Sequence, residues 1–149
     1  MEGKTTMADI HLYVGIEKKR TSDSALVTLI LEGKNAKPLI ISGYSMDIPP
    51  DRKSPERFYH FVLLKALEYG IAAIHSASDQ AFRIVFHPDN DRIYFEYVNE
   101  RQKDGRYSDS AYDLDIWQRI DKALKKRGSE LIIASKDNCL SYLGRLNRR

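Results

Sequence analysis

Apolar and polar positions alternate through the first part of the chain. Ile10, Leu12, Val14 and Ile16 fall on every second residue, which places them on one face of a strand over residues 10–17. Residues 25–32 are apolar on both parities, the pattern of a strand buried on two faces. Residues 38–43 give a third strand. The links are a polar run from Lys18 to Ser24 and the turn Gly33-Lys34-Asn35. Strands joined this closely pair antiparallel, so the first three predict a meander with the first strand central in the finished sheet.

Pro49-Pro50-Asp51 ends that pattern. Ser54 then offers an N-cap, Pro55 the first helical position and Glu56 an acidic first turn. The helix predicted from there runs to about Ile74. Phe58, Phe61, Val62, Leu64, Leu67 and Ile71 cover most of its circumference, and Lys65 and Glu68 mark its polar edge. A helix this apolar packs against a sheet and against another helix. Residues 81–87 form a fourth strand with Phe82, Ile84 and Phe86 on one face. Residues 92–98 read as a strand by β-propensity and as a helix by topology.

Asp113 or Asp115 caps an amphipathic helix in which Leu114, Trp117, Ile120 and Leu124 recur at helical spacing. Lys125-Lys126-Arg127-Gly128 closes it with basic residues and a C-terminal glycine. Residues 131–134 make a fifth strand, and residues 138–147 a last helix with Leu140, Leu143 and Leu146 three apart. A meander continued by strand–helix–strand crossovers gives a mixed five-stranded sheet with helices on its faces. The organisation expected is a flexible lead-in over residues 1–8 and one α/β domain over 9–149.

Charge and composition narrow the chemistry. A single cysteine, Cys139, excludes an internal disulfide and a multi-cysteine zinc site, which fits a reducing intracellular compartment, the cytoplasm or the nucleus. No apolar run approaches the ~20 residues of a membrane span. The net charge of +3 is small, but the basic residues are clustered. Lys18-Lys19-Arg20, Lys125-Lys126-Arg127 and the terminal Arg145, Arg148 and Arg149 form three groups. Such clusters are usually solvated turns and helix ends, and each is also a candidate phosphate contact, the first and last foremost. His11, His60, His75 and His87 lack metal-ligand spacing and read as hydrogen-bonded or exposed side chains. Phosphate-binding glycine loops and nucleophile elbows are absent.

The order of elements resembles ribonuclease H. The run Asp115-Ile116-Trp117-Gln118-Arg119-Ile120-Asp121-Lys122-Ala123-Leu124 is similar to the helix before the last strand of the bacterial enzymes, which carries a Leu-Trp-Gln-Arg-Leu-Asp type segment. The stretch from Arg57 to Glu68 resembles the family's first helix. The resemblance implies four carboxylates that hold divalent cations against a phosphodiester. At their places this chain has Gly15, Tyr59, His87 or Pro88, and Leu140. It also lacks the mobile histidine loop before the last helix. The expectation is therefore a ribonuclease H-like domain without nuclease activity or cofactor, binding nucleic acid through Lys18, Lys19, Arg20, Arg145, Arg148 and Arg149, or else another protein. The alternative is a divergent magnesium-dependent nuclease acting on RNA or RNA–DNA hybrid. Its shifted site would use Glu17, Glu56, Asp89 and Asp137, each within three residues of an empty position.

Overall fold

A computed structural model describes residues 8–18, 24–33, 39–52, 55–78, 80–88 and 113–134. The meander is built from β1 (Ala8–Lys18), β2 (Ser24–Gly33) and β3 (Leu39–Asp47). A 3-10 turn at Pro50–Arg52 leads into α1 (Pro55–Ala77). β4 (Phe82–His87), α2 (Leu114–Arg127) and β5 (Glu130–Ile133) follow. The five strands make one sheet in the order β3-β2-β1-β4-β5, with β1 in the middle. β1 pairs antiparallel with β2, and β2 with β3. β1–β4 and β4–β5 are parallel, as helical crossovers require. The mixed sheet, its antiparallel start and its central β1 agree with the expectation.

The alternation on β1 sets the layers. Leu12 and Val14 are fully buried on the face that α1 covers, in register with Phe86 of β4 and with Leu31 and Leu29 of β2. Close approach of α1 depends on Gly70: a Cβ there would collide with the Leu12 side chain, whose Cδ1 would lie 3.1 Å away. Val62, Leu63, Leu64, Leu67 and Ile71 fill this layer. α2 lies against α1 and sends Ile116, Trp117, Ile120 and Leu124 into the same core. Trp117 is completely buried, as its place on the apolar stripe predicts.

Three details differ from the sequence reading. α1 continues three residues past Ile74, because Ala77 lies beyond the last apolar contact that patterning can detect. β3 extends to Asp47, with a register shift opposite Val27 and Leu29 that accommodates an extra residue. Asp113 does occupy the N-cap of α2, but its side chain makes no cap hydrogen bond. Its backbone is left-handed, at φ 54° and ψ 40°, and only its carbonyl serves the helix, accepting from the N–H groups of Ile116 and Trp117. Asp115 lies inside the first turn. The C-terminal end follows expectation, with Gly128 left-handed and its N–H bonded to the carbonyls of Leu124 and Lys125. Residues 92–98 and 138–147 lie outside the described residues.

Candidate functional site

The second face of the sheet carries the side chains of opposite parity. Along β1 these positions are Asp9, His11, Tyr13 and Gly15. Parallel pairing brings Tyr13 into register with His87, the last residue of β4. Their rings stack with centroids 4.3 Å apart and planes 11° apart. The His87 ring also meets His11, one step along the strand, at 5.1 Å and 21°. That second contact is a hydrogen bond, 2.8 Å between His11 Nδ1 and His87 Nε2. Two facing imidazole nitrogens bond only if one carries a proton and the other offers a lone pair. The pair therefore shares one proton across the strands.

Tyr13 and His87 are buried, while His11 is partly exposed. Burial, and secondarily the nearby His11, push the His87 pKa down to about 4, so this imidazole is neutral at pH 7. Among the described residues its Nδ1 has no hydrogen-bond partner. Farther down the same face Arg83 donates to Asp9 at 2.8 Å. Glu32 of β2 lies opposite His11 in the register.

Of the positions singled out from the sequence, Gly15 and His87 lie on this face. Gly15 stands two residues beyond Tyr13 on β1, His87 ends β4 and Pro88 follows it. Glu17 and Lys18 are the last two residues of β1, with Leu26 and Ala25 as their partners in β2. Glu56 is the second residue of α1, and Tyr59 lies one turn on. Lys19, Arg20, Asp89, Asp137, Cys139, Leu140, Arg145, Arg148 and Arg149 lie outside the described residues. Among the described residues no three His, Cys, Asp or Glu side chains gather closely enough to hold a metal ion.

A second polar cluster joins the two helices. His60 and Asp113 are fully buried, with His60 Nδ1 2.8 Å from Asp113 Oδ2. A carboxylate accepts only, so Nδ1 carries the proton. Arg57, one turn before His60, places Nη2 3.9 Å from the other carboxylate oxygen. At the far end of α1, Ser129 Oγ accepts from the Phe82 N–H at 3.1 Å and is hydrogen-bonded with His75 Nε2 at 3.1 Å. All four histidines thus have hydrogen-bond partners, as the sequence reading expected. Sequence reasoning missed which groups they meet. The parity of His11 and Tyr13 was visible, but their meeting with His87 depends on a register set by a long crossover.

No protein-family model matches the sequence, and no curated protein does. Solved structures do resemble the fold. LC9-RNase H1, a type 1 RNase H with the type 2 active-site motif, superposes with a TM-score of 0.53 and 14% identity over 89% of this chain. The match spans 65% of the LC9 protein. LC11-RNase H1, isolated from compost by a metagenomic approach, gives 0.56 and 10% identity over 92% of this chain and 90% of its own. A foamy viral protease-reverse transcriptase, solved in complex with double-stranded DNA, gives 0.50 and 12% identity over 86% and 79%. The chain has the ribonuclease H-like fold.

Proposed function

We propose that this ribonuclease H-like domain is a binding module without nuclease activity and that its partner is nucleic acid. The observation that carries the first half is the Tyr13–His87–His11 set where β1 and β4 lie side by side. The resemblance places metal-holding carboxylates around Gly15 and the end of β4. The donor set here is a phenol and two imidazoles that share a proton. Magnesium and manganese prefer anionic or carbonyl oxygen, and a neutral imidazole with a buried ring is a poor substitute. Gly15, Tyr59, His87, Pro88 and Leu140 supply no carboxylate, so these positions do not fit a pair of hard divalent ions.

The second half rests on clustered charge. Lys18 ends β1 and opens the basic run Lys18-Lys19-Arg20, and Arg145, Arg148 and Arg149 lie near the C-terminus. A few cations neutralise only a few phosphates, so affinity should be modest, weaken steeply with salt and depend little on base sequence. Fluorescence anisotropy with duplex DNA, RNA and an RNA–DNA hybrid across a salt series tests this reading. Binding should weaken with salt and disappear in K18E/K19E/R20E. Binding that survives both high salt and those substitutions would overturn the charge-based assignment.

A further inference from the structure

The outer face of α2 carries charge that the fold does not use. Gln118, Arg119, Lys122, Lys125 and Lys126 are exposed, opposite the stripe of Ile116, Trp117, Ile120 and Leu124. Arg119 is already engaged: its guanidinium bonds Glu68 at 2.7 Å and Asp115 at 3.3 Å. Arg127 is engaged too, donating to the Ser78 carbonyl at 2.8 Å. Among the described residues, Lys122, Lys125 and Lys126 have neither an ion pair nor a hydrogen bond.

The usual structural use of such lysines is to finish a helix. Here backbone groups do much of that work. Gly128 N–H serves the carbonyls of Leu124 and Lys125, and Ser129 N–H also bonds Leu124. A favourable interaction with the helix dipole remains, but one cation in the last turn provides it. Lys122 with Lys125 and with Lys126 are also like charges three and four residues apart, a spacing that destabilises an isolated helix. The ridge is therefore best satisfied by an external polyanion.

We infer that the outer face of α2 is a second nucleic-acid contact, with Lys122, Lys125 and Lys126 meeting the phosphates of a duplex. The inference rests on the nucleic-acid reading above and adds a surface on the helical side of the sheet, away from Tyr13 and His87. Helical neighbours of this spacing lie about 5–6 Å apart at Cβ. One strand of a duplex carries a charge every ~3.4 Å along its axis. Three lysines on this ridge can thus meet two or three successive phosphates of one strand.

The experiment uses the full chain and a fluorescent duplex DNA, with K122A/K125A/K126A, K122E/K125E/K126E and K18E/K19E/R20E measured in parallel from low to physiological salt. Circular dichroism checks that each variant remains folded. The alanine variant should lose about tenfold in affinity at low salt and flatten the salt slope by about two, since each phosphate contact contributes ~0.9 to it. Charge reversal should weaken binding further. If native binding is unchanged in both α2 variants but lost in K18E/K19E/R20E, the ridge is not a contact and the nucleic-acid reading stands. If the native chain binds no duplex, RNA or hybrid, both fail. Retention of an acidic protein in place of any nucleic acid would also overturn the inference.

Discussion

Asp113 accepts a hydrogen bond from His60 across 53 positions of sequence, and neither side chain reaches solvent. The bond fastens the start of α2 to the first turns of α1. Breaking it leaves a buried polar group without its partner, which is costlier than never having built the pair. Asp113→Ala should therefore cost about 3 kcal/mol or more in urea unfolding. Asp113→Asn keeps an acceptor and should cost clearly less. Little or no loss in Asp113→Ala would show that His60 does not depend on this group.

The contact between Gly70 and Leu12 makes a prediction of opposite sense to helix propensity. Alanine is favoured over glycine in a helix by about 1 kcal/mol. At position 70 the added methyl would collide with the end of the Leu12 side chain, which is fully buried and would have to shift. Overpacking of this kind costs ~1–3 kcal/mol. Gly70→Ala should thus be neutral to destabilising, and Leu12→Val should partly rescue it. Greater stability of Gly70→Ala alone would mean that the helix and sheet slide apart freely.

Trp117 makes the simplest test of the core. It is fully buried and belongs to the layer shared by α1 and α2. Trp117→Ala should cost about 3–5 kcal/mol. An unchanged thermal midpoint would place α2 outside the cooperative unit.

These relationships differ in how much of them the sequence carries. Strand periodicity on β1 and the stripe of Leu114, Trp117, Ile120 and Leu124 are local, because side-chain direction follows from residue spacing alone. The fold class was legible for that reason. The role of Asp113 was only half legible. Its position before an apolar stripe marks a helix start, but whether the carboxylate caps or turns away depends on His60 in another element. The Tyr13–His87 stack is less legible still, since one residue of slip between β1 and β4 would send His87 to the other face.

Acid should loosen the fold through the buried imidazoles. Burial lowers the pKa of His87 to about 4 and lowers that of His75 as well, with the Arg127 charge adding to the latter effect. In the unfolded chain both revert toward the ordinary value of about 6.5. Below that value the unfolded state binds more protons than the folded one, so stability falls as pH falls. The stabilisation is complete above about pH 6.5 and is lost progressively down to about pH 4. His87 alone accounts for up to about 3 kcal/mol across that window. His87→Phe should flatten this part of the profile, because phenylalanine does not titrate. A profile with the native slope in that variant would assign the acid sensitivity to other groups.

The chain should not cleave an RNA–DNA hybrid with magnesium or manganese. Two-metal cleavage needs several carboxylates around cations ~4 Å apart, because their negative charge holds the ions against a phosphate. Gly15, Tyr59, His87, Pro88 and Leu140 provide none, and the His11–His87 pair already directs one nitrogen of each ring toward the other. A shifted site would have to draw Glu17 from the end of β1, Glu56 from the start of α1, and Asp89 and Asp137 from elsewhere in the chain. One helical turn separates Glu56 from the position of Tyr59, a displacement of ~5 Å, larger than a metal–oxygen bond. The assay compares the native chain with a Glu17→Gln, Asp89→Asn double variant under both metals. Metal-dependent cleavage by the native chain that vanishes in the variant would replace the inactive reading with the shifted site. Cleavage equal in both would point to a contaminating nuclease or to residues outside this set, and its persistence through a second, unrelated purification would separate those two.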